Sequence, residues 1–496
     1  MKHIRSVLAT LLAALSIAVM AAPATAACPP DLAGRLRLHG SNTIGAELAP
    51  ALAAAFAACE GLTDQSVNQL SDPDEREFIF GGGDSERKLM FEDFAHGSST
   101  APPDLAAQPA KADIGMMSRL PTDAEIAELV GAGRGRPLPP PQTDPNAPPS
   151  DAGYEHVIAL DGIAVFVNKR QTPISQMPIC QIAQIFAGRF ADWSELHGTP
   201  GPIHVYARDA KSGTWDTFNE LVLKPCGVTL SSQAKRYESN LKLSQDVEGD
   251  PGGIGFTSLA FVGNNKSLFV STTCPILTEA SPFMAKTEEY PISRRLFMFA
   301  PPSLSTPLRT AFLDYVRSDD AQPVVESSGF VNFEIIGGGA AYTASRIAQA
   351  SHPASEESEL TELRFARLIA HAERLSVTIR FRVGSSALDA RAIDDIDRIA
   401  RLAQSPRFAG HQIILAGFAD SRGSWETNLA LTYDRARAVA AMLADKHVPN
   451  VRVEGFSYAE PVACNNGSPD GWNRNPEWGL QMNRRVEVWV TPPLTR

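Results

Sequence analysis

At 496 residues the chain is long enough for two or three domains with full cores. Its formal net charge of −11 argues against nucleic acid and anionic lipid as partners. It leaves small anions open, because backbone N–H groups at helix starts bind those without net positive charge.

Lys2 and Arg5 precede an uncharged run over 6–22 and then Ala24-Thr25-Ala26. That is the order of an export signal cut after Ala26, so residues 1–26 are expected to be removed. No later segment is long and apolar enough to span a membrane. Thr25-Ala26-Ala27-Cys28 also invites a lipidated-cysteine reading, which Thr25 in place of the usual leucine disfavours. The cysteines are Cys28, Cys59, Cys180, Cys226, Cys274 and Cys464. They lack C-x-x-C spacing and a histidine cluster, so neither a metal site nor a cofactor is expected. In an exported chain their even count implies disulfides. Cys28 and Cys59 flank a predicted strand and helix and make the best pair; the other four can join in three ways.

In chain order, Leu36–His39 reads as a strand, 40–45 as a turn, and Ala46–Ala58 as an Ala/Leu-rich helix. The same order is expected twice more. Glu77–Phe80 leads through Gly81–Ser85 into a helix over 86–94, and Ile203–Tyr206 leads through Arg208–Thr214 into Trp215–Leu223. Between them lie Ala112–Arg119 and the strand pattern Val157–Val167, which carries Asp161-Gly162. Such alternation indicates α/β layers with ligands at the strand ends. The Gly- and Pro-rich stretch 131–153 reads as an exposed loop inside this first domain. The polar stretch 346–373 reads as an interdomain linker. Beyond it, strands over 377–381, 411–416, 451–456 and 485–490 and helices over 389–403 and 425–446 make one compact α+β domain.

A helix start leaves four N–H groups unpaired and carries about half a positive charge. Three starts turned toward one cleft make an oxyanion site with hydroxyls from Ser41, Thr43, Ser85, Ser212 and Thr214, to which Arg208 adds a bidentate contact. Each start alone reads equally well as an N-cap. The ordered set Gly40–Ile44, Ala112–Gly115 with Ser118-Arg119, Asp161–Ala164, Arg208 with Ser212–Thr214, Gly252–Phe256 and Tyr290–Arg294 carries a resemblance. Over 34–336 the chain resembles the periplasmic phosphate-binding proteins that serve ABC transporters. The resemblance implies a two-lobe periplasmic-binding-protein fold of type II over 27–345. It implies phosphate or a similar oxyanion held by Ser41, Asn42, Thr43, Ser85, Ser118, Arg208, Ser212, Gly213 and Thr214. An ABC permease or an outer-membrane component is the further partner it suggests. Two departures stand out. Gly83-Asp84-Ser85-Glu86 stands where the family usually has Gly-Ser-Ser or Gly-Ser-Gly, and Arg119 stands where it has a carboxylate near Ser118.

In the last third, Gly417–Gly423 places Asp420 on a loop, and Asn428 and Arg435 follow on a predicted helix. Asn483-Arg484-Arg485 enters a last strand. A fixed carboxylate and guanidinium can hold a zwitterionic amino acid, one taking the ammonium and the other the carboxylate. Asn428, Leu431 and Arg435 share one helix face, while Leu429, Tyr433, Ala436, Ala440 and Leu443 form the core stripe. Residues 374–496 resemble the OmpA-like peptidoglycan-binding domain. That implies that Asp420 and Arg435 grip the two ends of the diaminopimelate side chain of the stem peptide, with Asn428 and Arg484 shaping the pocket. Ala419 replaces the family's usual threonine.

No enzyme is expected. Serine chemistry needs a base and an orienting acid, and the nearest histidines, His39 and His204, sit in strand pattern. The sequence therefore predicts an exported phosphate-binding protein of a Gram-negative-type periplasm, held non-covalently to peptidoglycan near the outer membrane. The alternative is a structural envelope protein whose receptor half no longer binds phosphate.

Overall fold

The computed structural model describes residues 31–82, 85–134, 154–210, 212–272, 277–351, 356–381, 388–463 and 478–492. The expected export signal, Cys28, Cys274, Cys464 and residues 135–153 of the Pro-rich stretch lie outside them.

An eleven-stranded sheet runs through both lobes of the first domain. In the first lobe, Gly34–Gly40 lies parallel to Ser85–Phe94 on one side and Ile114–Met117 on the other. The 13-residue strand Glu155–Val167 joins the lobes. Its residues 155–162 pair with Ser293–Phe299, and 163–167 pair with Gly253–Ser258 of the second lobe. Each lobe has its own core. Leu38, Ile44, Phe56, Phe91 and Phe312 belong to the first. Ile182, Phe186, Trp193, Phe218 and Phe256 belong to the second. The Cys180–Cys226 disulfide, closing a sequence separation of 46, ties the second lobe and selects one of the pairings left open. Cys59 is disulfide-bonded as well.

Two expectations fail. The predicted helix over 86–94 is a strand: Glu75–Gly82 and Ser85–Phe94 form an antiparallel hairpin. The reason is a period of two. Leu89, Phe91 and Asp93 point inward and are buried, while Met90, Glu92 and Phe94 between them are half-exposed. The predicted linker over 346–373 is folded. Helices Gly339–Ala350 and Glu356–Ile369 cover one face of the C-terminal sheet, where Phe365 and Ile369, one turn apart, pack with Ile414, Phe418 and Trp489. Elsewhere that helix surface is Glu- and Arg-rich, which hides the stripe in the composition.

The C-terminal sheet has the order Glu373–Arg380, Arg485–Thr491, Gln412–Phe418, Val451–Gly455. Helices Ala390–Gln404 and Trp425–Asp445 cover its other face through Ile396, Ile399, Val439 and Leu443. Among the described residues no helix is long and apolar enough to cross a membrane.

The two domains meet at buried charge. Glu288 ion-pairs with Arg295 of its own domain (2.9 Å from Nη2) and with Arg380 (2.8 Å) and Arg391 (3.0 Å) of the C-terminal domain. Burial raises the Glu288 carboxyl, but Arg295, Arg391 and Arg380 together hold it well below the usual glutamate range. Arg295 also meets Asp389 at 2.8 Å, and Asp395 takes Arg391 and Arg398. Glu288→Gln leaves the buried Arg380 and Arg391 and the half-buried Arg295 under-compensated and is expected to cost about 3–5 kcal/mol in denaturant unfolding near neutral pH. The depressed carboxyl stabilises above the ordinary glutamate value of 4.5 and loses that contribution as pH falls below it. The gap between wild type and Glu288→Gln should therefore close on acidification. A gap that stays constant with pH would contradict the assignment.

Candidate functional site

The strand Gly34–Gly40 ends in a turn from which Ser41 N–H donates to the Met116 carbonyl at 2.8 Å. Gly40 has φ +136°, and a Cβ there would lie 2.1 Å from Met116 O, so only glycine fits. Ser41 and Thr43 are buried behind the helix start that follows. From the second lobe, His204–Arg208 leads to Ser212, whose hydroxyl caps the helix Gly213–Phe218 by accepting from Trp215 N. The two turns meet: a Cβ on Gly213 would lie 2.3 Å from Thr43 Cα. Asn42, Thr43, Arg208, Ser212, Gly213 and Thr214 thus surround one cavity of about 600 Å³.

Arg208 is buried and engaged along its own lobe. It donates to the carbonyls of Tyr237 (3.2 Å) and Glu238 (2.6 Å) and to Thr214 Oγ1 (3.3 Å). Burial lowers its pKa, against the pull of Glu47 and Asp209. Ser118 lines a second cavity, which shares Asn42 with the first.

Ser85 is not brought here. It begins the strand Ser85–Phe94, whose opposite end pairs beside His39 at the turn; nine extended residues, roughly 30 Å, intervene. Glu86 follows it at that far end, and Asp84 lies outside the described residues. The third turn is instead Gly97-Ser98-Ser99. Gly97, at φ 104°, donates its N–H to Gly40 O at 2.7 Å, and Ser98 Oγ accepts from Ser118 N at 3.0 Å. Ser98, Ser99 and Ser118 line the second cavity together. The literal Gly-Ser-Ser string was the available signal, and reading 77–94 as strand, turn and helix concealed it.

Arg294 closes the Tyr290–Arg294 motif but is absent from the expected site residues. Its Nη2 donates to Thr43 Oγ1 at 2.8 Å, and its Nε lies 3.5 Å from Asp161, which in turn accepts from the Thr217 hydroxyl. Thr43 belongs to one lobe and Thr217 to the other, so Asp161 and Arg294 bridge them from adjacent crossing strands. Burial raises the Asp161 carboxyl against the pull of Arg294, and burial lowers Arg294 in turn.

The C-terminal site forms beyond strand Gln412–Phe418. Gly417 lets that strand approach the helix Trp425–Asp445, since a Cβ would lie 2.2 Å from Thr432 O. Asp420 accepts from Arg422 N at 2.9 Å and pairs with Arg484 at 2.7 Å. Asn428 donates to Arg422 O at 2.8 Å, tying the loop to the helix. Arg435 lies 5.1 Å over the Phe381 ring and is 7% exposed. Its Nε and Nη1, and the Nε and Nη2 of Arg484, are buried without hydrogen-bond partners among the described residues. Burial first, then the Arg484 charge, push the Arg435 pKa down to about 10, against Asp420. Arg484 therefore does more than shape the pocket, because it already holds Asp420.

Residues 92–320 match the PBP superfamily domain and residues 380–475 match the OmpA family. The chain joins a periplasmic-binding-protein fold to an α+β OmpA domain. The phosphate-binding protein PstS of Borreliella burgdorferi is 23% identical over 189 residues, 36% of this chain and 66% of that protein. Protein SphX of Synechococcus elongatus is 35% identical over 116 residues, 22% of this chain and 33% of that protein. The peptidoglycan-associated lipoprotein of Pseudomonas putida is 34% identical over 117 residues, 23% of this chain and 63% of that protein. The chain thus spans between a third and two thirds of the length of these curated relatives. Among solved structures, an ABC-type phosphate transport receptor from Vibrio cholerae is 17% identical, covers 60% of this chain and 99% of that one, and has a TM-score of 0.42.

Gly213→Ala tests the meeting of the two turns. Overpacking against Thr43 is expected to destabilise the first domain by about 1–3 kcal/mol in denaturant unfolding. Unchanged stability would mean that the turns do not touch.

Proposed function

We propose that this chain is a non-catalytic receptor for phosphate or a similar tetrahedral oxyanion, exported to the periplasm and held to peptidoglycan by its C-terminal domain. The observation that carries the wall reading is the charge count in the C-terminal pocket. Two buried guanidiniums with unpartnered N–H groups face one carboxylate. A second carboxylate, supplied by a diaminopimelate side chain, satisfies them. The ligand's ammonium shares Asp420 with Arg484, Arg435 takes the carboxylate, and Asn428 keeps the loop in place.

For the receptor half, Asn42, Thr43, Ser98, Ser118, Arg208, Ser212, Gly213 and Thr214 supply the donors, and Ser41 supports the first turn. The PstS and SphX relatives support phosphate as the first ion to test. A wall tether suits a protein that scavenges, stores or senses its ion near peptidoglycan better than one that shuttles to a permease. A serine hydrolase is disfavoured: His39 and His204 each pair with an aspartate, Asp104 and Asp250, but among the described residues no serine hydroxyl is hydrogen-bonded to either ring. The engagement of Arg208 with carbonyls of its own lobe favours, as a second reading, a structural protein whose receptor half has lost its ion.

Calorimetry with phosphate separates these readings. Binding is expected, and Arg208→Ala should weaken it by about 2–4 kcal/mol; no heat with phosphate, sulfate or arsenate would leave the structural reading. For the wall, Asp420→Ala and Arg435→Ala should each abolish cosedimentation with diaminopimelate peptidoglycan, and the double variant should be little worse than either. Peptidoglycan with lysine at that position lacks the second carboxylate and should bind poorly. Folded variants that still pellet would place the anchor elsewhere.

A further inference from the structure

The cavity beside the Gly97–Ser99 turn measures about 750 Å³. That is within the ~300–1,000 Å³ that houses a drug-sized organic molecule, and far more than a five-atom oxyanion fills. Its lining is divided. Asn42, Ser98, Ser118 and Arg294 make a polar part. Arg294 directs Nη2 to Thr43 and Nε toward Asp161, leaving Nη1 without a hydrogen bond among the described residues. Leu120, Leu160, Phe297 and Met482 make an apolar part. Leu120 is 53% exposed, a large apolar side chain left at the rim with little protein against it.

The charges narrow the ligand further. Glu288, also in the lining, is saturated by Arg295, Arg380 and Arg391. Asp216 and Glu220 remain within the field of Arg294 and repel a second anionic group. Met482 comes from the C-terminal domain, so this wall of the cavity exists only because the two domains are packed together.

We propose that this cavity takes a phosphomonoester or phosphonate carrying one compact apolar group. The phosphoryl oxygens meet Asn42, which also lines the cavity of Arg208, together with Ser98, Ser118 and Arg294, and the organic group lies against Leu120, Leu160 and Met482. This inference rests on the oxyanion reading of the cleft and names its substrate class.

The test is calorimetric titration of the full-length protein with inorganic phosphate and with phenylphosphonate. Phenylphosphonate is expected to bind roughly tenfold or more tightly, the gain that burying one aromatic ring supplies. Leu120→Ser, at a rim position that tolerates a polar side chain, should bring the two affinities close together, and so should Met482→Ala. If phosphate binds and phenylphosphonate binds no more tightly, the inference is overturned while the oxyanion reading stands. If neither binds, both fall. A preference undiminished in both variants puts the ring outside this cavity and also overturns the inference.

Discussion

Glu288 is the constraint on which the arrangement of the two domains depends. It lies just before strand Ser293–Phe299 with φ at +62°, an uncommon conformation for a residue with a side chain. That turn carries its carboxylate into a junction where Arg295, Arg380 and Arg391 converge. Three guanidiniums held together, two of them buried and Arg295 half-buried, repel one another and lose hydration, so each relies on the same acid. Asp389 and Asp395 extend the balance to the edge of the junction, where Arg317 meets Asp394 at 3.2 Å. Because charge in a low-dielectric interior is costly unless paired, this junction tolerates little sliding.

The junction also sets the distance between the two candidate sites. Arg380 lines the larger cavity, and Phe381 beside it carries the Arg435 guanidinium. Met482 lines the same cavity, and two residues on Arg484 grips Asp420. One edge strand and one short helix therefore serve both sites. The donors at each are held in fixed positions by packing, which lowers the entropy lost when a ligand arrives. In the C-terminal pocket this readiness has a cost, since each buried donor left without a partner costs roughly 1–3 kcal/mol in the folded protein.

Legibility followed locality. Asp420, Asn428 and Arg435 belong to a loop and the helix after it, so the heptad spacing of the helix aligned two of them without any long-range information. Ser212–Thr214 with Arg208 was legible for the same reason: strand, turn and N-cap lie within a dozen residues. Ser85 was misassigned because Gly81–Ser85 is as good a hairpin turn as a helix start, and the period of two in Leu89, Phe91 and Asp93 was the deciding signal. The helices inside the supposed linker escaped because Phe365 and Ile369 make a narrow apolar stripe on an otherwise charged surface, which composition averages away.

The amino-acid sequence by itself determined the class of each domain, the order of most strands and helices, and the motifs at the strand ends, all of which depend on neighbours a few residues apart. Tertiary structure alone decided which turns meet. It brought Gly97–Ser99 rather than Ser85 to Asn42 and Ser118, placed Arg294 between Thr43 and Asp161, paired Cys180 with Cys226, and gave Asp420 to Arg484 before any ligand arrives. These partners lie from 20 to 251 residues apart. Their pairing follows from sheet order and from the balance of buried charge, which no local pattern encodes.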